Sequence, residues 1–186
     1  MKNGSIANRT SIRKICIASI LVAAILTTMI VIFLFSSEGP SESGDRSLSV
    51  TMQIARIFYP DFDEMTRTEQ MRMVNDLHFA VRKGAHFAVY ALLGGLVMTA
   101  LVVLLAFRTR FKRRLLCLSG IAAAIGLAYA ISDEVHQKFV GRGASPKDVC
   151  IDFAGVLFGI AVVWGISHVV RRAHGCRSAD KGEGSI

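Results

Sequence analysis

Between Ser132 and Gly155 the chain crowds four carboxylates, Asp133, Glu134, Asp148 and Asp152, together with His136, Gln137, Lys138, Arg142 and Lys147. Apolar segments long enough to cross a bilayer flank this stretch on both sides. Ionisable groups at a membrane boundary are costly unless paired or hydrated, so such a cluster marks a candidate site. Two chemistries are open to it. Cations oriented by acids can hold an anionic head group, and a carboxylate set near an imidazole can move protons. An ordinary charged loop accounts for Lys138 and Lys147. It does not account for Asp152, which lies two turns inside an otherwise apolar helix.

A second polar set precedes it. Arg82, His86 and Tyr90 are spaced i, i+4, i+8 and share one helical face, with Lys83 at its border. His86 reads equally as a packing histidine or a functional one, and Tyr90 as a hydrogen-bonding group within the bundle. Asp133 and Gln137 continue a stripe of small residues, Ala122, Gly126 and Ala130. Asp152 shares a face with Gly155 and Gly159, a pair that permits close helix contact. That face turns Asp152 inward, where Arg82, Lys83 and Arg142 are the candidate partners. Ser145 suits an N-cap, Pro146 the first helical position and Asp148 the third, so Asp148 can be a cap alone. His78, His168 and His174 fit no pattern. Only Asp133 and His136 fall at ligand-like spacing on one helix, so no metal site and no cofactor are expected.

Membrane-spanning helices must position these groups. The chain has 186 residues, 52% hydrophobic, with mean hydropathy +0.46, an apolar excess that points to a membrane protein. Residues 1–14 form a polar N-terminus. Residues 15–35 form a first span, read as a retained helix because its apolar run is long for a signal peptide and no small-x-small cleavage site follows. Residues 36–84 form an outer loop. In it a stripe at Leu48, Met52, Ala55 and Phe58 suits a helix on the bilayer surface. Tyr59-Pro60-Asp61 breaks that helix, and Thr66 with Glu69 reads as a capping box starting a second short one towards Phe79. Residues 85–170 form a three-helix core with spans at about 85–107, 115–131 and 149–170. The tail 171–186 is expected to be disordered. Cys16, Cys117, Cys150 and Cys176 show neither CxxC nor CxxH spacing, and no disulfide is expected.

Charge sets the orientation. The N-terminal segment, the loop between spans two and three, and the C-terminal segment carry four, five and four Lys/Arg, with only Asp180 and Glu183 as acids. The other two loops hold nine Lys/Arg against twelve Asp/Glu. The positive-inside rule then gives four spans with both termini cytoplasmic. All three polar sets fall at the outer interface. The net charge of +8 lies in short clusters beside apolar spans, without interleaved aromatics, which argues against a nucleic-acid partner. The fold expected is an all-α membrane protein of four transmembrane helices, N-in/C-in, with one or two short interfacial helices in the first outer loop.

The run Arg82-Lys83-Gly84-Ala85-His86-Phe87-Ala88-Val89-Tyr90, then Asp133-Glu134-Val135-His136-Gln137, Gly141-Arg142-Gly143 and Asp148 to Gly155, resembles the VanZ-like family. The order R-K-x-x-H-F-x-x-Y, D-E-x-x-Q, G-R and D-x-x-x-D-x-x-G is reproduced without a gap. The Ser-rich exit from span one at Ser36, Ser37, Ser41 and Ser43 is similar too, so the resemblance covers roughly residues 33 to 165. It implies a multi-pass protein of the bacterial cell membrane, from a family named for a member linked to teicoplanin resistance. Three functions compete. The leading one is a binding module at the outer face, in which Arg82, Lys83, His86 and Arg142 hold an anionic head group of a lipid or lipid-modified glycopeptide, with Tyr90, Asp133, Glu134, Gln137, Asp148 and Asp152 completing the site. The second is an intramembrane acid–base enzyme on a lipid-linked envelope substrate, with Asp133, Glu134 or Asp152 as base and His86 as acid. The third is a small lipid transporter, which with four spans requires a homo-oligomer. Membrane lipids are partners in all three.

Overall fold

The computed structural model describes residues 2–105, 111–141 and 145–183, with side chains described within 12–171 apart from 40–43, 46, 106–112 and 142–144. The described backbone is helical, without strands: α1 Lys2–Ser36, α2 Pro40–Phe58, a 3₁₀ turn Pro60–Glu64, α3 Arg67–Leu105, α4 Phe111–Phe139 and α5 Pro146–Glu183. Four stretches are long and apolar enough to cross a membrane: Ile12–Ser36, Arg67–Leu105, Arg113–Phe139 and Pro146–Arg171. Much of their apolar surface faces outward, Ile20, Leu26, Leu116, Phe158 and Val169 included. Lipid tails solvate such side chains as well as a protein interior does, so the helices associate through packing detail and polar contacts instead.

That detail is concentrated between α3 and α5, which pack most extensively, with α4 against both and α1 along α3 and α4. The expectation for the glycine pair holds here. Gly155 approaches the backbone at Phe87, and Gly159 approaches Ala91 and Gly95, so closely that a Cβ at either position would collide with backbone atoms. Val156, between them, fits against Gly94 of α3 and Gly126 of α4. Ala122 and Ala130 of the α4 stripe are fully buried, and Tyr90, Leu93, Met98, Leu115 and Val156 complete the core. One layer therefore locks three helices at the depth just below Asp152.

The outer segment departs from expectation in the length of its second helix. The capping box forms, with Thr66 N–H donating to Glu69 Oε2 at 2.9 Å and Glu69 N–H to Thr66 Oγ1 at 3.4 Å. The helix it starts does not stop near Phe79, however, but runs on to Leu105. No proline interrupts it, and Gly84 alone costs only about 1 kcal/mol in a helix. The 39 residues of α3 span about 58 Å, roughly twice a hydrocarbon core, so its first half projects beyond the membrane. The stripe on α2 packs inward at three of its four positions, while Phe58 at its end is exposed. Leu48, Met52 and Ala55 pack against Phe62, Val74 and Leu77, forming a second core with the projecting half of α3.

Helix also extends beyond both outer spans. The backbone is helical from Lys2, and the tail expected to be disordered continues α5 to Glu183. Its Ala, Arg, Lys and Glu favour helix and no proline ends it. The expected end of span two at residue 107 lies outside the described residues.

Candidate functional site

The polar sets predicted to share one depth come together where α3, α4 and α5 converge beside the end of α1. On α5 the entry is built as the sequence suggests. Ser145 Oγ accepts from Lys147 N–H at 3.3 Å and Ser145 carbonyl from Asp148 N–H at 2.8 Å. With the cap supplied by Ser145, the Asp148 carboxylate is free to pair with Lys83 Nζ across the α3–α5 contact. Both side chains are mostly sheltered, 19% and 24% exposed. Asp148 is therefore an interhelical ion-pair partner rather than a cap.

From α4, Asp133, Glu134 and Gln137 are all buried. Glu134 Oε1 accepts from Ser145 N–H at 2.5 Å and fastens the start of α5 to α4. Its other oxygen is buried and unpartnered. Gln137 Nε2 donates to Asp133 Oδ2 at 3.0 Å and to Ser36 Oγ at 3.3 Å, orienting the Asp133 carboxylate and tying in α1.

Asp152 is the most confined of the acids, 1% exposed. Of the cations expected beside it, Lys83 is taken by Asp148 and Arg82 forms no ion pair with a described residue, while Arg142 lies outside the described residues. His86 is the group that reaches it, with Nδ1 3.4 Å from Asp152 Oδ1. That approach lacks hydrogen-bond geometry, so both Asp152 oxygens are buried without a hydrogen-bond partner. Tyr90 Oη, wholly buried and next to Asp133 and Asp152, is likewise reached by no hydrogen bond of normal geometry. Two buried carboxylates with no Lys or Arg on either leave the interior of this site acid-rich among the described residues.

Metal capability was missed by spacing on single helices. His86, Asp133 and Asp152 each offer one ligand atom, all within 4.8 Å of one another, but from three different helices. The one same-helix pair, Asp133 with His136, does not converge, because His136 turns to α1. Its Nε2 lies 3.0 Å from Ser37 Oγ and its ring stacks on Phe33 at 4.6 Å.

Arg82, His86 and Tyr90 do share a face, and it opens into a cavity of about 220 Å³ between α1, α2 and α3. Ile32, Phe35, Val50, Val81, Ala85 and Val89 supply apolar walls, with Ser36, Glu38 and Ser47 among the polar lining. Sequence reasoning did not single out Ser36 as a site residue, nor Tyr129, whose hydroxyl donates to the Met29 carbonyl at 2.6 Å and clasps α4 to α1. The serine's place beside hydrophobic Phe35 at a helix end gave no hint of burial. His78, patternless in sequence, joins α3 to α2 through Ser47 Oγ at 2.5 Å.

Residues 21–169 match the VanZ/LLP1 family, a range that includes every residue of this site. No curated protein and no solved structure matches the chain.

Proposed function

The chain belongs to the VanZ/LLP1 family, and we propose that it acts in the membrane as a binding module for an amphiphile with an anionic head group. One observation carries this reading: half-buried Arg82, without an ion pair to any described residue, stands in the lining of an otherwise largely apolar cavity. A sheltered guanidinium offers a planar fork of donors to a phosphate or carboxylate, and the apolar walls suit the carbons behind that head group. Lys83 contributes less to binding than the sequence suggests, since Asp148 neutralises it.

In this reading both termini are cytoplasmic and the cavity opens at the outer face of a bacterial membrane, as the Lys/Arg distribution argues. The family's link to teicoplanin resistance fits the same chemistry, because an acylated glycopeptide with a carboxylate is such an amphiphile. The acid–base alternative has less support at Glu134, whose carboxylate is engaged in holding the α5 N-terminus.

Native mass spectrometry of the purified full chain, with phosphatidylglycerol competing against phosphatidylcholine, tests the proposal. Wild type should retain the anionic lipid preferentially, and Arg82→Ala should lose that preference by about tenfold, the equivalent of roughly 1.4 kcal/mol. An unchanged preference in Arg82→Ala would refute it.

A further inference from the structure

We propose that His86, Asp133 and Asp152 bind a divalent transition-metal ion of the zinc type in the membrane-embedded site. The inference does not rest on the amphiphile reading, since it concerns the interior face of the three-helix junction and not Arg82.

The first observation is geometric. The three ligand atoms lie within 4.8 Å of one another, and the His86–Asp152 pair is at 3.4 Å. Bonds of about 2.0–2.2 Å to nitrogen and oxygen put ligand atoms roughly 3.3–3.6 Å apart around a tetrahedral ion. One pair is thus already at ligand spacing, and the Asp133 oxygen lies within 4.8 Å of both. The second observation is independent of the first. Asp152 is 1% exposed, and neither of its oxygens has a hydrogen-bond partner. An anionic carboxylate in that position is strongly unfavourable without a counter-charge, and no Lys or Arg supplies one among the described residues. A cation between Asp152, Asp133 and His86 supplies it to both acids at once.

The surroundings are those of a metal site. Gln137 donates to one oxygen of Asp133 at 3.0 Å, orienting that carboxylate as outer-shell partners orient ligands. The donor set of one imidazole and two carboxylates suits zinc, with manganese as the neighbouring choice, and it is too nitrogen-rich for a calcium cage. Three protein ligands leave one tetrahedral position open, the arrangement of zinc sites that accept an exogenous ligand. Tyr90 Oη, buried beside the two acids without a hydrogen-bond partner, is a donor within the same junction.

The test is metal content and affinity of the full-length protein in nanodiscs, stripped with chelator and titrated with Zn²⁺. We expect one equivalent per chain, and cobalt substitution giving the visible absorption of a tetrahedral site. Asp152→Asn and His86→Gln should each weaken Zn²⁺ by at least about tenfold, and Gln137→Leu, which keeps every ligand, by about tenfold as an outer-shell change. Asp63→Asn, which removes an exposed acid of the outer segment, should leave affinity within about threefold of wild type. Should the ligand variants fail to fold, the Gln137→Leu and Asp63→Asn pair still decides the matter. Absence of stoichiometric binding in wild type overturns the proposal and leaves the two carboxylates sharing protons. Equal weakening by Asp63→Asn and Gln137→Leu overturns it as well, because the loss would then not belong to the three-helix junction.

Discussion

Gly159→Ala is the substitution that most directly tests the packing on which the site depends. An alanine Cβ at this position would stand 2.7 Å from Gly95 N and 2.9 Å from the Ala91 carbonyl carbon, and closer still to the Ala91 oxygen. Ordinary contact for a Cβ begins near 3.4 Å, so Gly95 N alone demands a shift of about 0.7 Å and the nearer Ala91 oxygen a larger one. All the obstructing atoms are backbone, and no rotamer change can absorb the methyl group. Overpacking of this kind costs about 1–3 kcal/mol, and the absence of a flexible neighbour places Gly159→Ala in the upper half of that range. Alanine's better helix propensity returns little, because helices in a bilayer persist in the dissociated reference state. Gly165→Ala is the internal control: it lies on the same helix, one and a half turns further on, where a new Cβ meets nothing within 4 Å. Reversible unfolding by detergent titration in mixed micelles, or steric trapping in bicelles, should show Gly159→Ala destabilised by about 2–3 kcal/mol and Gly165→Ala within about 0.5 kcal/mol of wild type. Indistinguishable stabilities for the two variants would sink the argument that α3 and α5 meet backbone to backbone.

Two further expectations follow from the same arrangement. A double-mutant cycle on Lys83→Met and Asp148→Asn should return a coupling of about 1–3 kcal/mol, since both side chains are largely sheltered, and a value under about 0.5 kcal/mol would mean that the pair is solvent-screened. In a background with all native cysteines replaced, a label at residue 49 should react with an impermeant maleimide in intact cells while one at residue 113 should not, and reaction at residue 113 would invert the proposed orientation.

Much of the architecture was legible because it depends on local rules. The number of membrane-spanning segments, the Thr66–Glu69 box and the Ser145–Pro146 entry each rest on neighbouring residues, and each appears as read. The convergence of three polar sets followed from topology, which places residues by depth but not by rotation. Rotation is where sequence reasoning ran out. It assigned Asp152 a cationic partner from Arg82, Lys83 or Arg142; the helix register gives Lys83 to Asp148 and brings His86 to Asp152, while Arg142 lies outside the described residues. The burial of Ser36, named only within the Ser-rich exit, and the clasp made by Tyr129 could not be read for a similar reason, because their partners, Gln137 and the Met29 carbonyl, lie about a hundred residues away. The fusion of the second outer helix with span two also escaped notice, since a boundary was inferred from a change of hydropathy where no backbone signal required one.

The packing layer and the chemistry above it are connected by size. Just below Asp152, Gly155 brings the α5 backbone against Phe87, and Val156 seals the contact to Gly94 and Gly126. Among the described residues it is the side chain of His86, not a lysine or arginine, that reaches Asp152. Further out, where the helices begin to part, Lys83 does find room to meet Asp148. Among the described residues the junction thus places an ammonium at the rim and an imidazole one turn deeper, and leaves one condition to be met, a compensating positive charge at the two buried carboxylates. A proton or a bare metal ion satisfies that condition, and the affinity of the Asp152→Asn and Gln137→Leu variants for zinc distinguishes the two.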